Sequence, residues 1–498
     1  MFQSACPACG APVAFRSATS VMAVCAYCQS TLLRDADSVR DVGKMSAVLE
    51  DYSPIQITSE GRFEGQHFSV VGRIQLRYDG GFWNEWYLWF DDGSTGWLSD
   101  ASGQYVVTRP STQAPEHVPL FDRNHPGDRL GFDRATWTCA DVREARCTGG
   151  EGELPMRVGE GWLARVADYR SGHRFLTLDY SDGDKPTVYA GKSVTVDALQ
   201  KERLRSPEQI AEKAGRLPGS LNAVACPSCG AQLNYLAAAA QHLVCPQCQS
   251  EVALEGDKAA VLAAHRSVEA VETTLELGAV ASINGTKWQL IGLMRCREDA
   301  SDGESWTEYL LHHAHKGFKW LIETTDEWHI VSVLDNWPDA ATSQVRVDGR
   351  VYTKMYDYRR TVTFAAGAFN WRVKVGDRAN VSEYKSSNQH VTAERTENEL
   401  SWSYGSQISS QTVAQWFKDP SIAAGLVDGT ASTLAAARRA RIKEEGGWTS
   451  QGFALLFTIV LLVLNVPLLI AGYGEIGVTF FGLLALWAPV SSNSWESD

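Results

Sequence analysis

Two stretches of this chain carry the same text. CPACGAPVAFRSATSVMAVCAYCQS occupies residues 6–30, and CPSCGAQLNYLAAAAQHLVCPQCQS occupies 226–250, every cysteine displaced by 220 positions. A repeat on this scale constrains the fold more than any composition does, because one chain must build the same unit twice. The match continues past the cysteines. Gly65, Phe68 and Gly72 align with Gly285, Trp288 and Gly292 at the same offset. After three inserted residues, WNEWYLWFDDGSTGWL (83–98) aligns with WTEYLLHHAHKGFKWL (306–321), setting Trp83, Glu85, Trp97 and Leu98 against Trp306, Glu308, Trp320 and Leu321. A fainter second half pairs GELPMRVG with GAFNWRVKVG and DKPTVYAG with ELSWSYG, placing Tyr189 beside Tyr404 and Gly191 beside Gly405.

Each repeat opens with two C-x-x-C pairs separated by fifteen residues, the spacing at which a hairpin brings four thiolates around one tetrahedral ion. Cys6, Cys9, Cys25 and Cys28 are assigned to one Zn2+, and Cys226, Cys229, Cys245 and Cys248 to a second. Gly10 and Gly230 follow the first pair, where the turn needs a positive φ. Both modules resemble zinc ribbons. Four cysteine ligands leave no open position, so both ions are read as structural. Neither ribbon loop is basic and the chain carries a net charge of -13, which speaks against nucleic-acid binding. The N-terminal Met-Phe-Gln-Ser-Ala-Cys lacks the basic stretch and apolar run of a secretory signal, so the thiolates are expected in a reducing compartment. Cys139, Cys147 and Cys296 read as small buried residues.

Behind each ribbon, runs such as FSVVGRIQLRY and WQLIGLMRC alternate in hydropathy between Gly, Asp and Asn, which predicts short antiparallel strands. The fold class is therefore mainly β: two zinc ribbons, each followed by a β-rich domain, with connecting helices and C-terminal transmembrane helical segments. The boundaries are ribbon 1 over 1–34, β-domain 1 over 50–199, a helical linker over 200–220, ribbon 2 over 221–255 and β-domain 2 over 270–417. Helical spacing is read in DKAAVLAAHRSVEAVE (257–272), in SPEQIAEKAGR (206–216), where Ser206 suits a cap and Pro207 the first turn, and in a basic juxtamembrane helix over 430–447. FALLFTIVLLVLNVPLLIAGY (453–473) runs 21 residues without a charge and is long enough to span a bilayer; with Ile476–Val490 it suggests a hairpin over 452–491. Arg438, Arg439, Arg441 and Lys443 precede it, which orients the bulk of the chain to the cytoplasmic side of a bacterial inner membrane.

The W-x-E-[WY]-x-L and W-L elements after a ribbon, with the later G-x-F-x-W and E-x-x-W-x-Y-G elements, resemble a bacterial family known as a domain of unknown function. The resemblance covers nearly all of 50–200 and 270–417. The first copy departs from it where Met156, Asp184, Thr187 and Val188 stand in place of Trp371, Glu399, Trp402 and Ser403. It implies a fold and no reaction.

P-loop, dinucleotide, nucleophile-elbow and H-E-x-x-H motifs are absent from the sequence. The preferred expectation is a membrane-anchored adaptor or scaffold, non-enzymatic, that binds a protein partner near the membrane, with duplication supplying bivalency. The alternative is an enzyme or small-molecule sensor using a cleft in the second β-domain with Glu308, Glu399 and nearby aromatics. His312, His313 and His315 are read as a hairpin edge, not a metal site, because the counterparts of His313 and His315 in the other copy are Phe90 and Asp92. Each Trp-x-Glu pair is read as a structural corner, not an acid.

Overall fold

The computed structural model describes residues 2–425 apart from 16–19, 26, 29, 36–37, 45–52, 102, 160, 207–221, 236–241, 246, 249, 256–257, 264–272, 302, 341–342 and 370. The helix expected over 206–216, the juxtamembrane helix over 430–447 and the hairpin over 452–491 lie outside these residues. No helix among the described residues is long and apolar enough to cross a membrane.

The first repeat contains two antiparallel meanders. One is β1 (Gln66–Tyr78), β2 (Gly81–Phe90), β3 (Thr95–Ala101) and β4 (Gln104–Pro110); the other is β5 (Ala135–Leu154), β6 (Trp162–Ser171), β7 (Arg174–Asp179) and β8 (Thr187–Val194). β4 pairs with β8 and β1 pairs with β5, so the two meanders close on each other as an eight-stranded barrel. The second repeat closes in the same way, with β9 (Thr286–Glu298), β10 (Ser305–His313), β11 (Gly317–Glu323), β12 (Trp328–Val333), β13 (Arg350–Phe369), β14 (Arg378–Ser386), β15 (Gln389–Arg395) and β16 (Leu400–Ile408). Closure pairs the backbone groups that an open sheet would leave exposed along its edges.

β5 is 20 residues long and bends at bulges between Cys139 and Asp141 and between Cys147 and Gly149. The bends let one strand pair in turn with β6, with β1 and with the ribbon strand Met22–Val24. At the closing corner the backbones come too close for any side chain. A Cβ on Gly72 would lie 1.8 Å from the Glu153 carbonyl oxygen, and Gly152 takes φ +66 beside the Val71 carbonyl. Gly292 and Gly367 fill the same two places in the second barrel, which is why Gly72 and Gly292 share one register in the sequence.

Strand alternation sorts the side chains. On β2, Trp86, Leu88 and Phe90 point outward and are buried under Ile55, Phe63 and Leu199; on β6 and β7, Ala167, Tyr169, Leu176 and Leu178 are buried under Phe121, Leu130 and Trp137. Each large apolar side chain so covered contributes about 1.5–3 kcal/mol. The second barrel's outer face is covered by α1 (Ser410–Phe417) and α2 (Ser421–Gly425) through Val413, Ala414 and Ile422. Ser409 caps α1 by accepting the Thr412 N–H at 3.2 Å.

The ribbons are built into the barrels. Each begins with a two-stranded hairpin, Phe2–Ala5 with Pro12–Phe15 and Asn222–Ala225 with Gln232–Tyr235. Each continues as a three-stranded meander on the end of β5 or β13. Met22 and Leu33 pack into the cluster that holds Ile74, Leu76, Tyr87 and Cys147 of barrel 1. One expectation is corrected here: Lys258–Ala263, read as helical, is the third strand of the second meander, paired with Glu251–Glu255. Its alanines suit a helix in isolation, but six residues are too few to hold one, and the open edge of Glu251–Glu255 supplies backbone partners.

The two barrels stack end to end. Three tight turns of barrel 1 (β1–β2, β3–β4 and β6–β7) lie at one end and meet the opposite end of barrel 2. The Arg372 N–H donates to the Gly80 carbonyl at 2.8 Å, the Trp337 N–H to the Gly172 carbonyl at 3.1 Å, and the Val142 N–H to the Asn398 carbonyl at 3.0 Å. Gly103 and Gly317 touch backbone to backbone. Ala140, the residue pushed out by the bulge in β5, packs among Trp337, Val345, Tyr384 and Trp402 of the second repeat.

Candidate functional site

The cysteine turns place the metal ligands before any ion is considered. Gly10 and Gly230, at φ +77 and +78, let the first knuckle turn back, and their N–H groups donate to the Cys6 and Cys226 carbonyls at 2.8 Å. Cys6 and Cys28 Sγ lie 3.7 Å apart, as do Cys9 and Cys25; in the second quartet the distances are 3.8 Å for Cys226–Cys248 and 3.7 Å for Cys229–Cys245. A tetrahedron with metal–sulfur bonds of about 2.3 Å has edges of about 3.8 Å. All eight cysteines are free thiols, and the spacing fits a Zn2+ in each quartet. The Cys28 thiol lies 3.3 Å from the Ser30 hydroxyl, and Cys248 stands beside Ser250 in the same way at 3.2 Å. Among the described residues, these two quartets are the groups whose ligand atoms converge tightly enough to hold a metal ion. His312, His313 and His315 form no such group. The His313 ring nitrogen Nδ1 instead accepts the His315 and Lys316 N–H groups at 3.1 Å and shapes the β10–β11 turn.

A second, less legible set of residues faces the barrel interiors. Because side chains two apart share a strand face, Trp83 donates its indole N–H to Glu85 at 2.9 Å and Trp306 to Glu308 at 2.7 Å. Ser99 on β3 adds a bond to Glu85 at 2.8 Å. From across the barrel, Asp168 and Asp179 join Glu85. Burial, opposed by the Ser99 and Trp83 bonds and aided by the two aspartates, pushes Glu85 up to about 7. Burial and then Asp141 push Asp168 up to about 7, although Thr177 donates to it at 2.6 Å. Strand registers place Glu383 and Glu394 in barrel 2 where Asp168 and Asp179 stand in barrel 1.

The two interiors differ in their positive charge. In barrel 2, Arg360 reaches Glu394 through both ends of its guanidinium, at 3.2 and 2.7 Å, and lowers the raised pKa of Glu308. Tyr358 donates to Glu383 at 2.9 Å. In barrel 1 the position of Arg360 is Ala145, opposite Ala164 as Arg360 is opposite Ala379. Arg143 and Arg170 lie near the stacked end and are engaged there: Arg143 with Asp141 and Glu399, Arg170 with Ser193 at 2.8 Å and over the Trp337 ring. Glu399 therefore belongs to the seam between barrels and shares no partner with Glu308; the structure does not bring them into one cleft. Cys139, Cys147 and Cys296 are fully buried. The sequence reading did not single out Asp168, Asp179, Glu383, Glu394 or Arg360, and a 215-residue offset through the second half of the repeat exposes them.

A family model described as Domain of unknown function (DUF4178) matches residues 56–196 and again 276–410, together more than half of the chain. The chain belongs to this family. The matched DUF4178 segments are the two barrels, and both cysteine quartets lie outside them. No curated protein and no solved structure matches the chain.

Proposed function

We propose that this DUF4178 protein is a non-enzymatic scaffold, tethered at the inner membrane by its apolar C-terminal segment, that docks a protein partner through the free rim of its second barrel. One observation carries the reading. Ala140 on β5 is 5% exposed because the next barrel covers it, whereas its equivalent on β13, Met355, is 56% exposed and the adjoining Tyr356 is 50% exposed. The same bulge presents both residues, between Cys139 and Asp141 in one copy and between Lys354 and Tyr356 in the other. A surface that repeat 1 spends on repeat 2 is left open on repeat 2, and its equivalence to a face that does make a contact is what supports docking there. Duplication then yields one free rim, not two, so at this surface the scaffold is monovalent. Closed four-thiolate ligation supports a structural role for the ribbons. The basic residues before 453 and the reducing environment that thiolates need support a cytoplasmic location for the barrels.

The test is co-purification with the full chain in mild detergent. A membrane-associated partner is expected to be recovered with wild type and lost with Met355→Asp/Tyr356→Asp, while zinc content stays at two ions per chain. Equal recovery with the double variant would sink the reading.

A further inference from the structure

The joint between the barrels is made by two different surfaces, a strand edge and a turn. The edge belongs to β5 of barrel 1: the Val142 N–H donates to the Asn398 carbonyl at 3.0 Å, Asp141 forms a β-bridge with Glu399, and Ala140 enters the cluster of Trp337, Tyr384 and Trp402. The turn, between β15 and β16 of barrel 2, carries Asn398 and Glu399. Each surface recurs once in the other copy. On barrel 2, β13 pairs with β9 from Arg360 onward and with the strand Gln344–Val347 up to Thr353, and among the described residues Met355–Tyr358 have no partner strand on that edge. Register places Tyr356 and Asp357 where Asp141 and Val142 stand, so Asp357 turns its N–H outward as Val142 does. On barrel 1, register sets Val188 at the place of Trp402, which puts Asp184 and Lys185 of the β7–β8 turn at the places of Asn398 and Glu399; both are exposed.

We infer that the molecule docked on the free rim of barrel 2 is a second copy of this chain, whose barrel 1 presents its β7–β8 turn to the open edge of β13. This rests on the docking reading and names its partner. The joint is head-to-tail, so a pair still has one open edge and one open turn, and further copies can add. Continuity with the internal joint carries the assignment, because a turn of this kind already covers this edge once within the chain, and an open edge is a template for backbone pairing. Apolar side chains stand uncovered on both surfaces. Met355 and Tyr356 do so on the edge, and Leu120 and Leu163, 56% and 48% exposed, do so on barrel 1. Phe121 packs on Tyr180 at 5.7 Å between ring centres and the Tyr180 hydroxyl donates to the Pro119 carbonyl at 2.7 Å, which sets Leu120 beside the β7–β8 turn. Leu163 follows the loop whose barrel 2 counterpart carries Arg372, a residue of the internal joint. The differences between the copies also compensate. Phe121 fills from within barrel 1 the cluster that Ala140 fills in barrel 2, so the larger Met355 lies on an apolar surface where Ala140 enters a pocket. Lys185 replaces Glu399 just as Asp357 replaces Val142, which sets opposite charges on the turn and the edge.

The test is sedimentation velocity of the purified full chain in mild detergent, with one variant blocked at each surface: Met355→Asp/Tyr356→Asp on the edge and Leu120→Asp/Lys185→Glu on the turn. Wild type is expected to grow past two chains per particle as concentration rises. Each blocked variant alone is expected to stay monomeric. An equimolar mixture of the two is expected to form pairs and nothing larger, because one working edge and one working turn remain between them. Adding Asp357→Lys to Lys185→Glu in one chain is expected to recover about fivefold in affinity over Lys185→Glu alone, the scale of one exposed ion pair. Zinc content and the melting curve verify folding of each variant. A turn variant that still pairs with itself, or a mixture that stays monomeric, would overturn the inference. A wild type that is monomeric at every concentration, yet captures a different membrane protein through Met355 and Tyr356, would overturn it and leave the docking reading in place. An edge variant that associates as wild type does would remove both.

Discussion

Replacing Arg360 with leucine tests the charge balance of barrel 2 directly. The guanidinium side chain is 13% exposed and its partner Glu394 is 30% exposed, while Glu308 is 7% exposed as a residue. Removing one member of a buried pair costs about 3–5 kcal/mol, because the remaining charge is stranded. Solvent still reaches Glu394 and takes up part of that loss, which places the expected cost near the lower bound, about 3 kcal/mol. For a unit of this size each kcal/mol moves the melting temperature by about 2–4 °C, so Arg360→Leu should melt about 6–12 °C below wild type at pH 8. The direction with pH follows from the carboxylates. Burial already raises Glu308 above its ordinary value and Arg360 opposes that rise; without the arginine it rises further. An acid whose folded pKa lies above its unfolded value destabilises the fold at pH above the folded pKa and is relieved as pH falls through it. The deficit should therefore shrink between pH 8 and pH 5 in near-ultraviolet circular dichroism melts of the full chain. A variant melting within about 1 °C of wild type at pH 8, or one whose deficit is as large at pH 5, would refute the argument.

Further outcomes follow from other parts of the molecule. Gly72→Ala forces a methyl into the Glu153 backbone and should destabilise barrel 1 by about 3 kcal/mol or more, seen as a lower urea midpoint, whereas Gly65→Ala in open space should cost only the strain of its φ of +82. Elemental analysis should find two zinc ions per chain, falling to one in Cys229→Ser, and chelation should expose the barrel 1 cluster around Met22 and Leu33 to hydrogen exchange. Glu85→Gln removes an acid whose pKa is raised to about 7, so it should stabilise the chain at pH 8 and lose that advantage as pH falls through 7 toward 5 in thermal melts.

What the sequence conveyed depended on how locally each feature is encoded. The C-x-x-C pairs, the positive-φ glycines beside them and the Trp-x-Glu contacts are set by residues one to four apart, and the fifteen-residue spacing repeated in both copies joins the pairs into quartets, so all were legible. Gly72 and Gly292 stood out as matched residues, but their role in closing a ring is invisible until β1 meets β5. The interior carboxylates were missed because the offset changes from 220 to 215 and the identities change with it, Asp168 to Glu383 and Asp179 to Glu394, while the decisive difference is an alanine, which attracts no notice. Registers also shift one sequence pairing: Gly191 stands opposite Thr108 as Gly405 stands opposite Val331, so Val188, not Thr187, takes the buried place of Trp402, and the tyrosines fall one residue out of step. The helical reading of Lys258–Ala263 failed because tertiary pairing overrides the preference of alanine in so short a run.

The nesting of Ala140 beneath Trp337 separates the histories of two surfaces that began as one. At position 140 any enlargement collides with the chain's own next barrel, so drift there is policed from within. At position 355 no part of the described chain imposes such a limit. Copies of this chain from different lineages should accordingly keep a small residue at the first position in every case, while the size of the second is free of that internal limit.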